Sequence, residues 1–162
     1  MNKQFLTEKY FDNPDYTDKF SGVFITDREV NIAELAFDMF NYTPAWVNGL
    51  MQFRDFIVGR FGLKTSDQIA KAEKPVLAIG EPYPMFKVID FNDEEIMFGE
   101  NDQHLNFVTS VALSRLGNRY EVFSLTSVKY NNGFGRLYFT FVRPFHALIV
   151  KSMLNRIVCK FK

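Results

Sequence analysis

Residues 104–159 decide the fold, and they read HLNFVTSVALSRLGNRYEVFSLTSVKYNNGFGRLYFTFVRPFHALIVKSMLNRIVC. Apolar and polar residues alternate over 104–116, which is typical of an antiparallel strand with one buried face and one wet face. A second such strand covers 120–130. Asn131-Asn132-Gly133 favours a tight hairpin, because Asn-Gly pairs tolerate positive φ, and it predicts a third strand over 134–142.

The stretch ends in a predicted amphipathic helix. Pro144 lies near the first helical position, where its missing N–H costs nothing. At about 100° per residue, one broad face of the helix is apolar. That face consists of Ile149, Val150, Met153, Leu154, Ile157 and Val158. His146 falls on the same side, so a polar group is expected on the face that covers the sheet.

Upstream, residues 1–17 form a lead-in, and strands are predicted over 18–26, 86–91 and 95–100. Two short helices lie between the first two strands. The first begins at Asn31, where Asn31-x-x-Glu34 has the form of a capping box, and the second begins at Thr43-Pro44 and ends at Gly62. Residues 63–85 are proline-rich, which favours a plain connector over a lid.

This order of elements predicts an α+β fold with a single domain over residues 18–162. A curved antiparallel sheet of about six strands would be covered on its apolar face by the long C-terminal helix. The order resembles the helix-grip fold of the birch-pollen-allergen, lipid-transfer and polyketide-cyclase-like superfamily. That resemblance implies a cavity between the sheet and the helix.

Composition excludes several functional classes. Lys and Arg together number 19, as do Asp and Glu, and nucleic-acid binding needs a basic excess that is absent. No apolar run reaches the roughly 20 residues of a membrane span, so membrane insertion is not expected. Cys159 is the single cysteine, which excludes an internal disulfide and favours the cytoplasm. The 19 phenylalanines indicate a Phe-rich core, or else a Phe-lined cavity.

Three segments carry a closer resemblance. They are GENDQHLNF at 99–107, GRLY at 135–138 and PFHALIV at 144–150. They resemble the bacterial domain-of-unknown-function family 2867, over roughly residues 20–160. The family is similar to the helix-grip superfamily, has no established activity, and includes members fused behind short-chain-dehydrogenase-like domains. Here Gly133-Phe134-Gly135 is placed in a hairpin, not between a strand and a helix, so no dinucleotide site or other cofactor is expected.

His146 is the first candidate site residue. Imidazole can donate and accept, so it could bind a ligand oxygen or act as a general base. The alternative, a buried histidine satisfied by the backbone, is favoured. His104 with Asp102 and Glu100 could bind a metal, but the pattern crosses a turn, and a hydrogen bond that pins the hairpin is favoured. No metal site is therefore predicted.

Arg136 and Tyr138 are further candidates, because they share one face of the third predicted strand. If that face points inward, Arg136 could bind a ligand carboxylate bidentately, but the outward orientation is favoured. Together with His146, Phe107 and Met153, they form the predicted ligand-binding set.

Three functions remain open. The first is binding of a small apolar or amphipathic molecule in the helix-grip cavity. The second is a cyclase-like enzyme that uses His146 as acid or base, which requires a second polar side chain within reach. The third is a protein-interaction module, which requires a large exposed apolar patch. The sequence carries no signal for the oligomeric state.

Overall fold

The computed structural model of the protein describes residues 5–41, 76–83 and 86–161. The second predicted helix, over 43–62, lies outside the described residues. The elements in chain order are α1 (Leu6–Tyr10), β1 (Tyr16–Ile25), α2 (Ile32–Phe40), β2 (Lys87–Phe91), β3 (Glu95–Asn101), β4 (Leu105–Leu116), β5 (Arg119–Tyr130) and α3 (Gly133–Lys160).

The strands form one antiparallel sheet in the order β1-β5-β4-β3-β2. The α+β class is confirmed, and so are five strands and the C-terminal helix. The two longest strands, β4 and β5, are joined by the turn at Gly117, whose φ of 63° needs a glycine. Because this turn is short, it fixes the register between the two strands, and Leu116 lies opposite Arg119.

The sixth strand, predicted over 134–142, is wrong, because these residues form the first part of the 28-residue helix α3. Asn132 is the N-cap of the helix, and its side chain accepts a hydrogen bond from the Gly135 N–H at 2.9 Å. The asparagine pair therefore starts a helix instead of a hairpin. Leu137, Phe139 and Phe141 occupy alternate positions, as apolar residues do in a strand with one buried face. They do not share a face, because Leu137 and Phe141 are exposed and Phe139 is buried.

The start of α3 is tied to the turn between β3 and β4. The Asn131 side-chain amide donates to the Asp102 carbonyl at 2.7 Å, and that of Asn132 donates to the Gln103 carbonyl at 3.1 Å. The Asn131 N–H donates to the His104 carbonyl at 3.0 Å. Gly135 and Tyr138 also pack against His104, so two of the segments that resemble the family, 99–107 and 135–138, meet at this junction.

Two further expectations about this region need correction. Pro144 lies inside α3 and not near its first position. Gly133-Phe134-Gly135 is not part of a hairpin, because it forms the first turn of α3, where Gly135 packs directly on the His104 carbonyl.

The main core lies between one face of the sheet and the helices α2 and α3. Leu35 and Met39 of α2 meet Leu154 and Ile157 of α3 in this cluster. The predicted N-cap at Asn31 is confirmed, since its side chain accepts from the N–H groups at positions 33 and 34 at 2.8 and 3.3 Å. Among the described residues, no helix combines the length and apolar character needed to cross a membrane.

The opposite face of the sheet is partly covered by α1 and the residue before it. Phe5 packs with Ala112 and Leu125, and Ser110 beside them is fully buried. The buried Glu95 carboxylate accepts a hydrogen bond from the Leu6 N–H at 2.8 Å, at the start of α1. The wet face predicted for β4 is therefore wrong at its centre, because the lead-in shields it.

Candidate functional site

Three neighbouring strands each direct one polar residue toward α3 at the same level of the sheet. Asp18 of β1 lies opposite Thr126 of β5, and Thr126 lies opposite Thr109 of β4. His146 of α3 contacts this row from above. We call Asp18, Thr109, Thr126 and His146 the polar layer.

The side chains of the polar layer are within hydrogen-bonding distance of one another. His146 Nε2 lies 3.1 Å from Asp18 Oδ2 and 3.2 Å from Thr126 Oγ1. Thr109 Oγ1 lies 3.4 Å from Thr126 Oγ1 and donates to a backbone carbonyl of β5 at 2.9 Å. The Tyr16 hydroxyl donates to Asp18 Oδ2 at 2.7 Å. An imidazole, a carboxylate and three hydroxyls thus form one network.

This layer separates two apolar clusters under α3. On β4, Thr109 lies between Phe107, which packs on the cluster at one end, and Val111 of the main core. On α3, His146 lies between Phe139 of that first cluster and Val150 of the main core. A ligand at the layer would therefore meet polar groups flanked by apolar side chains on both sides.

Asp18 carries the least satisfied atom of the network. Its side chain is 10% exposed and that of His146 is 22% exposed. Asp18 Oδ1 is buried and has no hydrogen-bond partner among the described residues. Such an atom costs about 1–3 kcal/mol and calls for an explanation.

Tyr16 donates to the carboxylate across the whole neutral range. Burial, followed by the hydrogen bond to Asp18 and its negative charge, raises the pKa of Tyr16 to about 12. The Arg143 guanidinium, 4.9 Å from the centre of the Tyr16 ring, opposes this shift. Since a carboxylate only accepts, the proton between His146 and Asp18 lies on Nε2.

Only one residue of the predicted ligand-binding set lies in the polar layer, and it is His146. Phe107 and Tyr138 pack on the first apolar cluster, and Met153 is buried in the main core. Arg136 is exposed on the first turns of α3. Arg136 and Tyr138 share no strand face, since both belong to the helix.

His104 belongs to the junction at the start of α3. It is buried, its Nδ1 lies 3.4 Å from Asp102 Oδ2, and its ring packs edge-on against Tyr138. In the described part of the chain, no group of three or more His, Cys, Asp or Glu residues could bind a metal ion. These contacts hold the His104 side chain against the first turns of α3.

Two clefts formed by described residues lie away from the polar layer. One, of about 210 Å³, is lined by residues that include Tyr10, Ile89 and Gly99. The other, of about 570 Å³, lies between the start of α2 and the turn near Asn92. His146 lines neither cleft, so these clefts are not the cavity expected beneath α3.

The outward face of α3 carries an apolar stripe. Leu137, Phe141, Phe145 and Leu148 are 57%, 67%, 41% and 57% exposed. Their spacing of four, four and three residues places them on one side of a helix. This is the kind of surface that the interaction-module hypothesis requires.

Comparisons with curated proteins and with solved structures found no significant match. A family model described as a protein of unknown function, DUF2867, matches residues 10–153. The match includes all four residues of the polar layer, the junction at the start of α3 and all five strands of the described sheet. Since it covers most of the 162 residues, the chain belongs to the DUF2867 family of proteins of unknown function.

Proposed function

We propose that the protein binds a small amphipathic molecule between the sheet and α3, with the polar group of the molecule at the polar layer. The observation that carries this proposal is Asp18 Oδ1, a buried carboxylate oxygen without a partner among the described residues, next to His146. Pockets that bind small molecules combine apolar walls with a few convergent polar groups. The polar layer with its two flanking apolar clusters has this composition.

We further propose that residues 18–162 form a single helix-grip domain. The order of elements supports this, since a C-terminal helix covers an antiparallel sheet in which β1 pairs with the last strand. Helix-grip proteins bind ligands in the space between these two layers. On this proposal, the polar layer lies in the corresponding space.

Access to the layer would require the first half of α3 to move outward. Of residues 133–146, only Gly135 and Phe139 are buried, whereas the second half buries four apolar side chains. Pro144 separates the halves and has no N–H for the Thr140 carbonyl, which weakens the helix at that turn. The ligand would thus enter beneath the more weakly packed half.

The test is a thermal-shift screen of the full chain against a library of amphipathic molecules, followed by titration of each hit. A ligand at 100 times its Kd stabilises by about 2.7 kcal/mol, or about 5–10 °C for a chain of this length. His146→Gln should reduce the shift by more than half. Arg136→Gln, which changes an exposed residue of the same helix, should not. Equal shifts in the two variants, or no hit in the library, would refute the proposal.

A second candidate function is acid–base catalysis by His146, favoured by its contact with Asp18. A carboxylate 3.1 Å from Nε2 orients the ring and fixes the proton on Nε2, which makes Nδ1 the basic nitrogen. A hit from the screen should then be converted to a product detectable by mass spectrometry. His146→Gln should abolish turnover while changing the Kd by much less. Recovery of every hit unchanged would rule out catalysis on these molecules.

A further inference from the structure

We infer that the polar group of the ligand is a protonated amine, which donates to Asp18 Oδ1. This inference rests on the proposed binding function and specifies the class of ligand. It follows from counting the hydrogens available in the polar layer and from the charge that the layer carries.

Each hydrogen of the network already has an acceptor. The Tyr16 hydroxyl and His146 Nε2–H both donate to Asp18 Oδ2. The Thr109 hydroxyl donates to a backbone carbonyl, which leaves Thr109 Oγ1 as the acceptor for the Thr126 hydroxyl. The remaining lone pairs are those of Asp18 Oδ1 and of His146 Nδ1, the ring nitrogen that does not contact Asp18. The hydrogens of these contacts are thus all used within the layer, whereas a ligand donor still finds free lone pairs, and of these only the ones on Asp18 Oδ1 belong to a negatively charged group.

The negative charge of Asp18 further restricts the class of ligand that can bind. A ligand carboxylate would place a second negative charge beside a carboxylate that is nine-tenths buried, where like charges repel strongly. A hydroxyl could donate one neutral hydrogen bond. An ammonium group donates a charge-assisted hydrogen bond, which is about twice as strong, and it also neutralises Asp18.

The aromatic neighbours of Asp18 also favour a cation. The rings of Tyr16 and Phe139 lie 4.8 Å apart at the edge of the layer, and ring faces attract ammonium groups. Arg143, an exposed residue, already lies 4.9 Å from the centre of the Tyr16 ring, so a ligand cation would share this aromatic edge with it. An amine on an aromatic or alkyl body fits both the carboxylate and the apolar clusters beside it.

The experiment titrates the full chain with three probes that share one aromatic body: 2-phenylethylamine, 2-phenylethanol and phenylacetate. Binding is followed by ¹H–¹⁵N NMR at neutral pH. The amine should bind at least tenfold more tightly than the alcohol, and phenylacetate should not bind. Asp18→Asn should weaken amine binding at least tenfold and leave the alcohol nearly unchanged. Asp12→Asn, the same charge change at an exposed position, should leave both affinities unchanged.

The comparison of probes on the unmodified protein decides the question even if Asp18→Asn does not fold. Preference for the alcohol or for phenylacetate would overturn the inference, and so would binding of the amine that moves no signal from β1, β5 or α3. If a neutral or acidic molecule from the library binds and its thermal shift depends on His146, the amine inference would be overturned, but the proposed binding function would still hold. If neither the probes nor the library bind, both proposals fail.

Discussion

Replacing Gly135 with alanine is expected to separate the start of α3 from the turn between β3 and β4. A Cβ at this position would lie 1.9 Å from the His104 carbonyl oxygen and 2.8 Å from its carbonyl carbon. Both are backbone atoms, so they cannot rotate away as a flexible side chain can. Since heavy atoms in contact are optimally about 3.5 Å apart, the two backbone segments must move apart by roughly 1.5 Å.

That movement disrupts the contacts that anchor the helix. The hydrogen bond from the Asn131 N–H to the His104 carbonyl is 3.0 Å long, and the one from the Asn132 side-chain amide to the Gln103 carbonyl is 3.1 Å long. Each contributes about 1 kcal/mol, and overpacking itself costs about 1–3 kcal/mol. Alanine regains about 1 kcal/mol through its higher helix propensity. The free energy of unfolding should therefore fall by about 3 kcal/mol, which lowers Tm by about 6–12 °C.

Gly133→Ala is the matched control, because a Cβ at Gly133 meets no heavy atom within 4 Å. This variant should be neutral, or more stable by up to about 1 kcal/mol. Urea unfolding followed by circular dichroism gives the midpoint and the m-value of each protein, and the m-values should agree. If Gly135→Ala unfolds at the same urea concentration as Gly133→Ala, the close approach at His104 does not exist and the account of the junction is wrong.

Three further predictions concern single contacts. The folded state raises the pKa of Tyr16 from 10.0 to about 12, so the stabilisation from its protonated hydroxyl is complete below pH 10 and is lost as pH rises to 12. Tyr16→Phe should remove about 1 kcal/mol of this pH dependence, after allowance for solvent screening. If the free energy of unfolding of the two proteins changes with pH in parallel, the prediction is contradicted. Asn132→Ala removes the N-cap of α3 and should cost about 1–2 kcal/mol in urea unfolding, whereas Asn132→Asp, which keeps the acceptor, should cost less. Glu95→Gln weakens the hydrogen bonds to the start of α1, so the amide of Leu6 should exchange with solvent at least fivefold faster, while protection in β5 stays the same.

The parts of the fold that could be predicted from the sequence are those with a strong local signal. Period-two alternation located β4 and β5, and an asparagine before an apolar helical pattern located α2. The segment 131–142 has no such single signal. Asn131-Asn132-Gly133 fits a hairpin and a helix N-cap equally well, and the choice depends on hydrogen bonds to residues 102–104, about thirty positions away. Local propensity cannot contain that information.

The polar layer could not be predicted from the sequence, for a different reason. Thr109 shares its parity with Phe107 and Val111, so in a single strand it reads as one exception on an apolar face. The short turn at Gly117 places it opposite Thr126, which could have been worked out from the sequence. The third member, Asp18, pairs with β5 across more than a hundred residues, and no turn determines that register.

Once Asp18, Thr109 and Thr126 are aligned across the sheet, they cannot be treated as separate exceptions to the apolar pattern of their strands. Each interrupts the inward face of its strand at the same level, and His146 meets them from the helix. Apolar residues of similar size at these positions would join the two apolar clusters into one core, and replacing buried polar networks in this way is often neutral or stabilising. A structural role therefore gives little reason to keep a carboxylate there with one oxygen unsatisfied. The proposed binding function does give such a reason, because a ligand would supply the missing donor.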